Sequence, residues 1–231
     1  MKKISCIIPA YNEEKSINHT LSVVLPLLGS YLYEIIVIDD FSSDKTKQII
    51  KTFPGVHLIE HSINQGKSKS VADGIKMSQG NYIFLLDADL HFLNEKNIAD
   101  LIDPIEKEKA DISISYIKNS WPLFPFKKID YLSGERILPK KYLTNDIVEK
   151  MASLPGYGLE VFLNNIMIKN KMRISVIKWP NVENDFNQNK HGYIKGIKII
   201  IKIWWEVLSA ASIFEIYYQN IKLEKLIIQD N

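Results

Sequence analysis

Five short apolar runs recur through the first half of the chain: Ile4 to Ile8, Glu34 to Ile38, Val56 to Glu60, Tyr82 to Leu86 and Asp111 to Tyr116. Between them lie segments of helical length beginning near Glu13, Lys45, Ser68 and Asn97. Runs this short and apolar suit strands buried on both faces, and their regular alternation with helices predicts a parallel sheet covered on both sides. In open sheets of this kind ligands bind in the crevice outside the carboxyl ends of the strands. The polar clusters fall there: Pro9-Ala10-Tyr11-Asn12-Glu13, Asp39-Asp40, Asn64-Gln65-Gly66-Lys67 and Asp87-Ala88-Asp89 follow the first four strands in turn. Four clusters are expected to converge on one site.

Past Tyr116 the rhythm changes. Trp121 to Phe126 reads as a loop, Leu159, Phe162, Leu163 and Ile166 fall at helical spacing, Arg173 to Lys178 suits a strand, and Tyr193 to Asn220 suits a long amphipathic helix. The 231 residues contain no linker, low-complexity tract or internal repeat, so one domain with a C-terminal elaboration is expected. Lys and Arg number 29 against 27 Asp and Glu, a net charge of +2 that is too even to advertise a nucleic-acid partner. The single cysteine, Cys6, sits in an apolar run and reads as a core residue in a reducing cytoplasm. The apolar stretch after Met1-Lys2-Lys3 stops at Pro9, too short for a secretory leader. The uncharged run Ser16 to Tyr33 is broken by Asn18, His19, Thr20, Pro26 and Gly29, and reads as a helix with its exit loop. Ile197 to Ile228 carries seven charged residues, which suits lying on a membrane and not crossing it.

The chemistry-bearing residues are at the strand ends. Asp87 and Asp89 leave a buried strand at its frayed end, expected on opposite sides of the pleat, and carboxylates suit Mg²⁺ or Mn²⁺, which in turn bridges a diphosphate. An Asp-x-Asp alone equally describes a solvated strand end; its place in the series is what raises it. His91 offers an imidazole two residues on. Asp44 or Ser43 suits the cap of the helix at Lys45, whereas Asp39 and Asp40 have no capping role and are expected to accept hydrogen bonds from a base or ribose. Gly66 and Lys67 place a glycine turn and a cation before a helix N-terminus, a usual way to meet phosphate, although the P-loop spacing is missing.

Pro9-Ala10-Tyr11-Asn12-Glu13, Asp39-Asp40-x-Ser42-x-Asp44-x-Thr46, Asn64-x-Gly66-Lys67 and Asp87-x-Asp89 together resemble the family 2 glycosyltransferases of the GT-A fold, an α/β architecture whose central, mostly parallel sheet is flanked by helices. The resemblance implies a nucleotide-sugar donor with Pro9, Ala10, Tyr11 and Glu13 around the nucleoside, Asp40 on the base, Gly66 and Lys67 near the donor, Asp87 on the ribose side and Asp89 on the cation. Ser133-Gly134-Glu135-Arg136 is similar to the Ser-Gly-x-Arg of the polyprenyl-phosphate sugar transferases, where the arginine faces phosphate. In that branch the residue at the position of His91 also binds metal, so the implied ligands are Asp89, Asp87 and His91. Gly156-Tyr157-Gly158-Leu159-Glu160 and Lys190-His191-Gly192-x-x-Lys195-Gly196 resemble a bacterial subgroup distantly related to glucosyl-phosphoglycerate synthases.

Departures shape the rest. The Gln-x-x-Arg-Trp signature of processive synthases is absent, and so is the Glu-Asp pair that often supplies the base. Glu160 is the nearest substitute, at a helix start where it equally serves the helix dipole. A late metal ligand falls to Asn184 or His191. The expected activity is metal-dependent transfer, using Mn²⁺ or Mg²⁺, from a UDP- or GDP-sugar to a lipid-linked phosphate or small hydroxyl acceptor with inversion, aided by Asp89, Glu160 and Arg136. Residues 1–115 are expected to bind the donor and 116–231 to form the acceptor side. The setting implied is cytoplasmic, with peripheral contact at the inner face of the cell membrane through Trp121, Phe124, Phe126, Lys127 and Lys128, or Trp204 and Trp205 beside Lys198 and Lys202. The rivals are a nucleotidyltransferase, which wants a glycine-rich, arginine-bearing loop in place of Pro9 to Glu13, and a catalytically dead binding protein, which would have lost the acidic residues.

Overall fold

The structure is a computed structural model that describes residues 2–118, 128–184 and 205–228. The Trp121 to Phe126 segment, Lys127, the stretch from Lys190 to Lys202 that holds His191, and Trp204 lie outside the described residues.

The first half builds as the alternation dictates. β1 (Ile4–Ala10), α1 (Ile17–Val24), β2 (Glu34–Asp39), α2 (Thr46–Ile50), β3 (Val56–Glu60), α3 (Lys67–Met77) and β4 (Tyr82–Leu85) follow one another, and β1 pairs in parallel with both β2 and β4, as β2 does with β3. β2 is buried along its whole length, as a central strand covered on both faces must be. β1 sends Ile7 to one side of the sheet and Cys6 and Ile8 to the other, where they join separate apolar clusters. Cys6 is fully buried, and burial pushes its thiol well above the ordinary range, so it packs as a small apolar residue.

The second half departs from a simple parallel run. β5 (Leu90–His91) and α4 (Glu95–Glu106) lead to β6 (Ile112–Ile117), which is not the neighbour of β4. β7 (Arg136–Pro139) lies between them, antiparallel to both, giving the order β3-β2-β1-β4-β7-β6-β8 with β8 (Ile174–Trp179) parallel to β6 at the edge. β7 has four residues, beginning with a charge and ending in proline, so neither run length nor alternation marks it in sequence. α5 (Asn145–Ala152) and α6 (Gly158–Lys169) follow β7, and β9 (Glu183–Asn184) pairs antiparallel with β5.

The helix expected through Asn220 does not run unbroken. Residues 205–210 are helical, Ala211 and Ser212 interrupt, and α7 (Ile213–Glu224) restarts. Ser212 accepts the Glu215 N–H while the Glu215 carboxylate accepts the Ser212 N–H, a reciprocal cap that makes this point a helix start. α7 is also not simply amphipathic: it buries Gln219 and Asn220 beside Ile216 and Leu223 and leaves Phe214 86% exposed. Tyr131 donates to Gln219, and Gln219 donates to Asn165, which satisfies the buried amide. Among the described residues no helix is long and apolar enough to cross a membrane.

Candidate active site

The loop after β1 is laced to the loop after β2. The Asn12 N–H donates to Ser42 Oγ at 3.0 Å, the Ser43 N–H to Asn12 Oδ1 at 2.9 Å and the Glu13 N–H to Thr46 Oγ1 at 2.7 Å. Asp44 accepts from the N–H of Thr46, the first residue of α2, at 2.9 Å and from its hydroxyl at 2.5 Å, so it serves the helix start from one residue before the N-cap, Lys45, and the helix begins one position later than expected. Burial works against the Asp44 charge, but the hydrogen bonds from Thr46 and Glu14 prevail and lower its pKa. Asn12 and Phe41 take left-handed backbone (φ 56° and 65°), which turns each loop sharply over the strand ends.

A cleft of about 240 Å³ opens above these ends, lined by Pro9, Ala10, Tyr11, Glu13, Asp40, Lys67, Ser70, Asp87, Ala88 and Asp89. Every one of the four strand-end clusters contributes a residue. Tyr11 is 49% exposed at the rim. Gly66 is not in the wall; its φ of +88° turns the chain so that Lys67, at the start of α3, reaches it.

Asp87 and Asp89 do not take opposite sides. Ala88 and Leu90 are buried and Asp87 and Asp89 both line the cleft, because β4 ends at Leu85 and the chain turns at Ala88 and Asp89. Lys67 Nζ lies 2.8 Å from Asp87 Oδ1 and 3.2 Å from Glu160 Oε1, so α3, the β4 exit and α6 meet in one charge cluster. Burial alone would lower the Lys67 pKa; the Asp87 and Glu160 charges reverse that and hold it well above the ordinary range. Glu160 is 2% exposed in the first turn of α6, and its Oε2 is buried without a hydrogen-bond partner. Glu160 is not itself in the cleft wall and reaches the cleft through Lys67.

Other expected site residues are placed differently. Asp40 borders the cleft, yet its carboxylate accepts the N–H groups of Gln65 (2.8 Å) and Gly66 (2.7 Å) and contacts His61 Nδ1 (2.7 Å). The expectation of no capping role is corrected: the end of β2 delivers Asp40 beneath the loop that opens α3, where it accepts the N–H of Gly66, the α3 N-cap residue. Arg136 is 1% exposed and does not line the cleft; its guanidinium donates to the Ser133 carbonyl and, at 3.1 Å, to Asn164 Oδ1. Those bonds engage the guanidinium within the fold, near the Glu160 and Asp87 charges, and burial lowers its pKa. His91 follows Asp89 on β5 opposite Glu183 and is not in the wall, while Asn184 stands opposite Leu90.

Residues 5–155 match the family described as Glycosyl transferase family 2. The chain belongs to that family. Over 184 residues it is 34% identical to the poly(ribitol-phosphate) beta-N-acetylglucosaminyltransferase TarP of Staphylococcus aureus, covering 75% of this chain and 52% of that protein. It is 33% identical over 187 residues to the dolichol-phosphate mannosyltransferase of Pyrococcus furiosus, with the same coverage. The chain thus spans about half the length of these relatives. Its fold aligns with glucosyl-3-phosphoglycerate synthase of Mycobacterium tuberculosis, crystallised with Mn²⁺, UDP and glucosyl-3-phosphoglycerate, at a TM-score of 0.69 and 19% identity over 89% of this chain and 80% of that one. That likeness establishes the GT-A architecture. The resemblance to the polyprenyl-phosphate branch and to the glucosyl-phosphoglycerate synthases is borne out, and the family does not favour the nucleotidyltransferase rival.

For a family 2 glycosyltransferase the cation question rests on donor chemistry. Among the described residues no group of three His, Cys, Asp or Glu side chains is arranged to hold a metal. Two carboxylates in one cleft nevertheless fit Mg²⁺ or Mn²⁺, since such ions keep waters and substrate phosphates as their remaining ligands. Two neighbours of the cluster escaped sequence reasoning. Glu135, the variable position of Ser-Gly-x-Arg, is fully buried, hydrogen-bonded by Ser115 at 2.8 Å, and pushed up to about 7 by burial and then by the Asp87 charge. Tyr157, at the α6 N-cap, feels Lys67, Glu160, Asp87 and Asp89, and burial raises its phenol. Both stood inside recognisable motifs, and their closeness to Asp87 depends on where β7 and α6 pack.

Proposed function

We propose that the chain transfers a sugar from a nucleoside-diphosphate sugar to an oxygen acceptor with inversion at the anomeric carbon. The observation that carries this reading is the Lys67 ammonium held between Asp87 and Glu160 in a cleft it shares with Asp89. Residues 1–115 supply the donor side and 116–231 the acceptor side. Tyr11 stacks on the base, while Pro9, Ala10 and Glu13 border the nucleoside and Asp87 the ribose.

In the reaction the bond from the anomeric carbon to the diphosphate oxygen breaks as the acceptor oxygen attacks from the opposite face. Lys67 stabilises charge developing on the leaving diphosphate. Asp89, with Asp87 in the same cleft, would hold Mn²⁺ or Mg²⁺, which when bound supplies further neutralisation of that charge, and His91, outside the wall, is not needed as a ligand. A hydroxyl acceptor gives its proton to Glu160 Oε2; a phosphate acceptor is already an anion and has none to give. The relatives' names span both classes, dolichol phosphate in one and poly(ribitol phosphate) in the other. We favour a lipid-linked phosphate, because Trp205, Phe214 and Tyr218 are exposed on the C-terminal helices as a membrane-surface protein would show them. Flotation with liposomes tests the surface contact, and protein left wholly at the bottom removes it.

The deciding experiment is release of nucleoside diphosphate from a panel of UDP- and GDP-sugars, with Mn²⁺ or chelator, for the native chain and Asp89→Ala. One donor turned over with metal, and lost in the variant, is the expected result. Turnover that ignores both chelator and substitution would overturn the reading.

A further inference from the structure

His61 follows β3 immediately, does not line the cleft, and is almost wholly buried, with 6% of its side chain exposed. Each ring nitrogen faces a different carboxylate: Nδ1 lies 2.7 Å from Asp40 Oδ1 and Nε2 lies 3.1 Å from Asp73 Oδ2. The ring thus bridges the two carboxylates, one at each nitrogen. Asp40 grips the N–H groups of Gln65 and Gly66, the two residues that precede Lys67, and its own carbonyl accepts from Asn64 Nδ2 at 3.2 Å. Asp73 stands on α3, six residues beyond Lys67, and is also paired with Lys69. The ring therefore ties the loop before α3 and the body of α3 to the same point at the end of β3.

We propose that His61 is a positioning residue for the donor site: by bridging Asp40 and Asp73 it fixes the Asn64–Gly66 loop against α3 and so sets where Lys67 stands in the cleft. Precise placement of a charged group requires its supporting partners to be locked, and here the lock spans three elements. Without the ring, the two carboxylates lose their shared partner, and Gly66 keeps its bond to Asp40 and its turn to Ser70 with nothing tying Asp40 to α3. The proposal rests on the donor reading above for its consequence, though the lock itself does not.

The test compares the native chain with His61→Gln, whose single nitrogen cannot meet both carboxylates from the two sides that the ring nitrogens occupy, and Asp73→Ala, which removes the far anchor and serves if the first variant fails to fold. Hydrogen exchange of the Gln65 and Gly66 amides is measured without ligand, and the affinity of UDP and GDP is measured with Mn²⁺. The expected result is exchange faster by tenfold or more at those two amides with β1 and β2 amides unchanged, nucleotide binding weaker by about tenfold, and a donor KM raised similarly while kcat stays within about threefold. Unchanged exchange at Gln65 and Gly66 would overturn the lock. Faster exchange with unaltered nucleotide affinity would overturn the link to the donor. If neither nucleotide binds the native chain, the donor reading fails and takes that link with it, while exchange alone still decides the lock.

Discussion

The backbone of Gly134 packs directly against the Asp87 carboxylate: a β-carbon there would lie 2.4 Å from Asp87 Oδ2. The glycine of the Ser-Gly-x-Arg segment thus makes room for the anion that holds Lys67. A lone carboxylate could swing aside, but this one is anchored at 2.8 Å to the ammonium. Gly134→Ala is expected to cost about 1–3 kcal/mol of stability through overpacking and to cut donor turnover at least tenfold. Urea unfolding and nucleoside diphosphate release measure the two effects; native turnover in the variant would show that Asp87 moves freely.

Glu160→Gln separates the acceptor classes. Transfer to a hydroxyl acceptor should fall by about 10²–10⁴, the usual worth of a positioned base, while transfer to a polyprenyl phosphate stays near the native rate. Parallel assays with the two acceptors read this directly, and equal losses on both would make Glu160 an anchor for Lys67 and nothing more.

Glu135 predicts a pH dependence of stability. Burial first, and the Asp87 charge second, push its carboxyl from 4.5 up to about 7, so the fold favours the protonated form. Its contribution is then complete below about 4.5 and is lost as pH rises through about 7, amounting to about 3 kcal/mol in all. Glu135→Gln should abolish that decline between pH 5 and 8 in chelator-containing buffer. A decline that persists in the variant would assign it to another group.

Arg136→Met should act on stability more than on chemistry. The buried guanidinium holds the Ser133 carbonyl and Asn164 and lies near Glu160, Asp130, Glu135 and Asp87, so its loss leaves buried anions uncompensated at a cost of about 3–5 kcal/mol. Thermal unfolding and kcat are the readouts. A variant of native stability with turnover down a hundredfold would restore a phosphate-facing arginine.

Much of the donor half was legible because one physical signal repeats: buried parallel strands are apolar runs, and their polar exits must lie at the same edge. Asp87, Lys67, Tyr11 and Glu13 could be placed in one cleft on that basis alone. That Asp87 and Asp89 share one side follows from the turn at Ala88 and Asp89 beyond the end of β4, which the apolar run does not mark. Asp40 illustrates a different gap, since a carboxylate that borders a cleft and one that caps a loop look identical in sequence. β7 was hidden because four residues with a charge and a proline carry no periodicity, and without β7 neither Glu135 nor the burial of Arg136 could be foreseen. The break at Ser212 was legible in principle, since Ser212 and Glu215 form the spacing of a reciprocal cap inside what reads as a continuous helix.

The antiparallel insertion of β7 sets an order of assembly during synthesis. β1 to β4 can pair as soon as they are made, but the free edge of β4 waits for a strand that begins about fifty residues later, and Lys67 meets Glu160 only after about seventy residues beyond Asp87 have emerged. At about 5–20 residues per second, the nascent chain carries an open sheet edge for several seconds and an incomplete charge cluster for longer. An unpaired edge is a template for association with other chains, so chaperone dependence and aggregation should concentrate in products truncated between residues 90 and 135. The same delay leaves the candidate cleft incomplete until the segment proposed to face the acceptor has been made.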